Sequence, residues 1–140
     1  MKIENKHLKI SDLLYTKARE LNLQEGIISR MLSSECLLVS FDHIVDAFLY
    51  DWNYRLYNSN TGRAARHEEF QSYLIFKCVE EGRVDEIIKL MEEIYELRNK
   101  LLYLRKTNTN VINSKAKPEI DSLLEGSNDA RNFIKNKLFR

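Results

Sequence analysis

From Ile27 to Tyr57 no glycine or proline interrupts the chain, and apolar side chains recur every three or four residues: Ile28, Met31, Leu32, Cys36, Val39, Ile44, Ala47, Phe48 and Tyr54. A strand cannot use that spacing, because its side chains alternate between two faces; a helix gathers them into one stripe. Thirty helical residues would span about 45 Å, long for a small domain, so a bend or break is expected near Ser40–Asp42.

The remainder of the 140 residues is equally poor in turn residues, with four Gly and one Pro in all. That is too few for a sandwich of many short strands or a collagenous chain, and a hydrophobic content of 44% is too high for a disordered one. The expected fold is an all-α bundle of four to five helices with long central helices, forming a single domain over residues 1–140.

The first helix is expected to start at Ser11 or Asp12, either of which can N-cap it, and to end in Asn22–Gly26. Residues 58–62 (NSNTG) read as a loop. A third helix follows from Arg63 to Glu81, with Phe70, Tyr73, Leu74 and Cys78 inward and Gly82 as its left-handed C′ residue. The fourth runs from Val84 to about Lys106. The polar, Asn-rich stretch 107–117 reads as a loop, and a C-terminal helix over about 118–138 opens at Pro118 and is interrupted at Gly126. Helices two, three and four are expected at the centre, with the first and last outside them.

Charge is balanced, with 22 Lys plus Arg against 21 Asp plus Glu, so no global field favours a polyanion and any nucleic-acid contact must be local. Cys36 and Cys78 fall in apolar helical stretches without metal-ligand spacing and read as buried thiols; no metal and no cofactor is expected. Met1 to Lys9 is mixed polar and no apolar run approaches the roughly 20 residues of a membrane span, so no membrane association and a cytoplasmic location are expected.

Helix four carries the informative residue. With Met91 at zero and 100° per residue, Ile87, Ile94, Tyr95, Leu97, Leu101, Leu102 and Leu104 form an apolar arc centred at about −35°, and Arg98 falls near −20°. A charge in that position needs a partner. Either its guanidinium meets a carboxylate of helix two, such as Asp42, Asp46 or Asp51, or it lines a cleft or dimer seam, where its fork of donors suits phosphate.

The run Arg98-Asn99-Lys100-Leu101-Leu102-Tyr103, late on a long helix of a small all-α chain, resembles the motif of the HEPN superfamily. That motif is an Arg, a polar residue, a few more residues and then a His, on a bundle of four or five helices. The resemblance spans about residues 34–106. It implies a homodimer with Arg98 and Asn99 at the dimer interface, metal-independent ribonuclease chemistry on RNA, and a toxin–antitoxin or defence setting with a nucleotidyltransferase-type partner. Tyr103 stands where the family has His. On a straight helix Arg98 and Tyr103 are about 140° apart, so they converge only through a local distortion or around a dimer axis.

His67, in Arg63-Ala64-Ala65-Arg66-His67, is the candidate substitute base, since imidazole exchanges protons near neutrality. Its alternative is a partly exposed first-turn histidine beside Glu68 and Glu69. Arg63, Arg66 and Lys100 are the candidate phosphate contacts, against a plain solvated surface. Trp52, Tyr54 and Arg55 end a stretch too rich in aromatics for one buried face and are the candidate interface. His7 and His43 have no partner legible in the sequence, and His43 reads as structural. Acidic pairs such as Asp85-Glu86 and Glu92-Glu93 read as a solvated face, because adjacent helical residues diverge. The function reading is therefore a HEPN-like dimer with ribonuclease or toxin-type activity, or a non-catalytic helical interaction module such as the substrate-binding partner of a minimal nucleotidyltransferase.

Overall fold

The computed structural model describes residues 6–52, 68, 70–72, 81–102 and 109–138. Among them are four long helices: α1 (Lys6–Leu23), α2 (Ile27–Trp52), α3 (Glu81–Leu102) and α4 (Thr109–Leu138). Residues 70–72 are also helical and deliver Phe70 to the core. The architecture is an all-α bundle, as the spacing of apolar residues predicts.

α1 begins at Lys6, earlier than the expected cap at Ser11 or Asp12. Those two residues lie mid-helix because their side chains are used across helices. Ser11 Oγ donates to the Ser40 carbonyl at 2.7 Å and Ser40 Oγ donates to the Ser11 carbonyl at 2.7 Å. Two helical turns further on in each direction, Ser33 Oγ donates to the Ala18 carbonyl at 2.7 Å. The pairings 11 with 40 and 18 with 33 fix α1 and α2 as antiparallel, and the small side chains at the seam allow the backbones to approach closely.

The turn between them is built as the sequence predicts. Gly26 has φ of +111°, a conformation glycine adopts without steric penalty. The end of α1 carries no basic residue of its own, and Arg30 from α2 supplies the charge. Its Nη1 donates to the carbonyls of Asn22 (2.8 Å) and Gln24 (2.7 Å), placing a cation on the negative end of the α1 dipole.

α2 continues through Ser40–Asp42 without the break that its length suggests there; the Ser40 hydroxyl bonds across to α1 and leaves the α2 ladder intact. Its described helix ends at Trp52, and the expected continuation to Tyr57 lies outside the described residues. At 26 residues it is about 39 Å long and touches α1, α3 and α4, with α1 as its most extensive partner. α2 is thus the centre of the bundle. α4 packs directly on it, so the last helix is not a peripheral addition.

The core is a continuous apolar body from all of these elements: Ala18 of α1, Phe41, Ile44 and Phe48 of α2, Phe70 of the helical residues 70–72, Ile87, Ile94 and Leu101 of α3, and Ile120 and Ile134 of α4, each at most 2% exposed. Phe48 and Phe70 meet edge to face, with centroids 5.3 Å apart at 83°.

Three turn signals are overridden. Gly82 is the second residue of α3 and does not have the positive φ of a C′ glycine. The stretch expected as a loop up to Lys117 is helical from Thr109, so Pro118 lies inside α4 and Gly126 does not interrupt it. The physical reason is the buried stripe Ala116, Ile120, Leu123, Leu124, Ser127, Ala130, Ile134, which continues with helical period across both residues. At Gly126 a Cβ would lie 3.2 Å from Leu90 Cδ1, so the glycine accommodates a close approach of α3.

A buried polar assembly links α4 to the α1–α2 seam. Arg131, 3% exposed, donates through Nη1 to the Ser11 carbonyl (2.9 Å), Ser11 Oγ (2.6 Å) and Ser40 Oγ (2.7 Å). Its Nη2 meets Asp12, which Lys135 Nζ also reaches at 2.8 Å. The guanidinium lies 4.8 Å from the centroid of the Tyr15 ring. Burial pulls the Arg131 pKa down, and the Asp12 carboxylate and Tyr15 oppose that shift.

Candidate functional site

The motif helix α3 turns Val84, Ile87, Met91, Ile94, Leu97 and Leu101 into the core. In its last turns the buried positions are Ile94, Leu97 and Leu101, so Arg98 lies at the edge of the stripe and not along its middle. Apolar positions repeating at three and four drift around a 3.6-residue helix, and the arc averaged over the whole helix misplaces its end.

From that edge the Arg98 side chain, 24% exposed, reaches α2. Nε donates to Glu35 Oε2 at 2.5 Å, and Nη1 donates to Asn99 Oδ1 at 2.8 Å. Among the described residues the carboxylate that Arg98 meets is Glu35, two turns before Asp42 on α2, and not Asp42 or Asp46; the Asp51 side chain lies outside the described residues. The Glu35 side chain is 42% exposed. Arg98 and Asn99, the first two motif positions, are therefore brought together in one hydrogen-bonded group, with the guanidinium held in a fixed plane.

Exposed apolar side chains share the helix faces that carry this ion pair. On α3, Tyr95 and Leu102 are 43% and 42% exposed and lie on the same side as Arg98, one turn before and one after. On α2, Ile28 and Leu32 are 68% and 49% exposed and precede Glu35 at helical spacing. The next residue, Cys36, is a half-buried free thiol whose pKa is pushed up, mainly by burial and further by the Glu35 charge, so it is a poor nucleophile near neutrality.

Lys100 is exposed on a different side of α3. It borders a shallow cavity of about 510 Å³ between α3 and α4, together with Glu93, Glu96 and Glu119. A phosphate there meets three carboxylates for one ammonium, which disfavours it. Asp85, Glu86, Glu92 and Glu93 are exposed, the solvated face that their adjacency predicts. Trp52 closes α2. Tyr54, Arg55, Arg63, Arg66, His67 and Tyr103 lie outside the described residues.

The geometry decides what truncating Arg98 does. Because Glu35 keeps water contact when its partner is removed, Arg98→Ala is expected to cost about 1 kcal/mol, far below the loss for a carboxylate stranded in a core. Thermal unfolding of the two proteins checks this, and a drop in Tm of more than about 8 °C would contradict it. The variant is then a clean probe of what Arg98 does beyond folding.

Among the described residues no helix is long and apolar enough to cross a membrane. No family model matches the chain, and neither a curated protein nor a solved structure matches it.

Proposed function

We propose that this chain is a HEPN-like helical interaction module that acts in the cytoplasm as a homodimer, with the Arg98–Glu35 face as the surface through which two copies meet. The observation that supports this most is a half-buried ion pair on helix faces that also carry exposed Leu32, Tyr95 and Leu102. An ordered guanidinium beside an aromatic ring and aliphatic side chains has the composition of an interface centre, where Tyr and Arg are enriched. The occupant is a second copy because the motif that this face carries resembles one that lies at a dimer interface.

Light scattering over a micromolar concentration series tests the reading. A dimer is expected, and Leu102→Glu should shift it to monomer by placing a carboxylate beside Glu35 across the seam, with unchanged helical content. A monomer at every concentration, or a dimer indifferent to Leu102→Glu, would sink the proposal.

A second reading, metal-independent ribonuclease in a toxin–antitoxin setting with a nucleotidyltransferase-type partner, is favoured by one detail: Asn99 orients the Arg98 guanidinium as a binding group would require. RNA cleavage in EDTA that disappears in Arg98→Ala would establish it. Cleavage equal in both proteins would remove it.

A further inference from the structure

His7 and His43, 36 residues apart and each without a legible partner in the sequence, face each other across the α1–α2 seam with Nδ1 to Nδ1 at 3.0 Å and their rings stacked, centroids 5.2 Å apart. Asp46 stands one turn after His43 on the same face of α2 and is 8% exposed. One ligand atom from each of His7, His43 and Asp46 lies within 4.8 Å of the other two.

We propose that His7, His43 and Asp46 form a binding site for one divalent transition-metal ion of the zinc class, bridging α1 and α2. Two nitrogens each roughly 2.05 Å from a shared metal stand about 3.0–3.4 Å apart for angles near 95–110°, so the Nδ1 pair is already at ligand spacing. The carboxylate needs only a small movement, since a closed coordination sphere has edges of about 3.3 Å and the cluster spans 4.8 Å. Two imidazoles and one carboxylate match borderline ions, Zn²⁺ and Co²⁺ among them, and do not match Mg²⁺ or Ca²⁺, which take oxygen. A dication also offsets the charge of a nearly buried carboxylate. The antiparallel pairing fixed by Ser11 and Ser40 sits next to the cluster, one turn from His7 on α1 and one from His43 on α2, so both imidazoles are held on a rigid frame. Three protein ligands leave the fourth position of a tetrahedral ion to water.

The site is absent from the sequence reading because its spacing is not a local motif. His43 and Asp46 form an ordinary i, i+3 pair, and the third ligand comes from another helix.

The test uses tag-free protein stripped with EDTA and titrated calorimetrically with ZnCl₂ and, separately, with CoCl₂. One ion per chain is expected, with micromolar or tighter affinity, visible Co²⁺ absorption in a tetrahedral pattern and a rise in Tm of roughly 5–10 °C at a hundredfold excess over Kd. MgCl₂ should give no saturable heat. His7→Ala alters a half-buried position early in α1, and His43→Gln keeps the volume and a hydrogen-bonding group; each should weaken Zn²⁺ binding at least tenfold. Absence of saturable Zn²⁺ binding would overturn the proposal, as would affinity unchanged in both variants, which would leave the two histidines as a simple hydrogen-bonded pair.

Discussion

Arg131→Met is expected to lower stability by about 3 kcal/mol, a fall in Tm of roughly 10 °C for a chain of this size. The substitution keeps the aliphatic stem but removes every donor that Arg131 extends to Ser11, Ser40 and Asp12. Hydrogen bonds from a charged donor contribute about 1.5–3 kcal/mol each, and three of these reach groups buried between helices. The loss falls short of their sum for two reasons. The serine hydroxyls still donate to each other's carbonyls, and Asp12, with a half-exposed side chain, keeps Lys135 and water. A second variant separates charge from packing: Ser11→Ala, Ser40→Ala and Arg131→Met together should be more stable than Arg131→Met alone, because the two hydroxyl acceptors disappear along with their donor. Urea titrations of the three proteins give the comparison. A triple variant less stable than the single one by the full cost of two further lost bonds would mean that the serines act independently of the guanidinium.

Phe48→Ala is the larger perturbation, at about 4 kcal/mol. Phe48 is 1% exposed about one turn before the end of α2, and its ring meets Phe70 edge to face, so truncation opens a cavity between the central helix and a second element and also removes the aromatic pairing. Out of a typical total of about 5–15 kcal/mol, that loss leaves a chain partly unfolded at physiological temperature. Phe48→Leu, which refills most of the volume, should recover more than half of it. Denaturant midpoints measured at constant m-value check both. Equal midpoints for the alanine and leucine variants would mean that the cavity collapses.

Which parts were legible in the sequence follows from how local each signal is. The period of the α2 and α3 stripes is written in neighbouring residues, and so is the Asn22–Gly26 terminus, with Gly26 at positive φ. Turn residues mislead where tertiary packing outweighs propensity. Gly126 costs a helix about 1 kcal/mol relative to alanine, yet the stripe from Ala116 to Ile134 buries enough apolar surface to carry the helix through it, and the missing Cβ makes room for Leu90. Ser11 and Asp12 have the chemistry of an N-cap and act instead as receptors for a guanidinium 120 residues away. At the candidate site, angular arithmetic found an arginine on the inner side of α3 but not Glu35, because helix register is decided by the whole interface. His7 and His43 were visible as residues and invisible as a pair for the same reason.

The buried guanidinium also sets an order of events during synthesis. Ser11 and Ser40 can pair as soon as α1 and α2 have left the ribosome, since the hairpin needs only local closure. Arg131 is translated 91 residues after Ser40, a delay on the order of 5–20 s at ordinary elongation rates. For that interval the nascent hairpin presents two hydroxyls and an aspartate on an otherwise apolar face, a polar spot that disfavours lasting contact with any hydrophobic surface other than the helix bearing its matching cation.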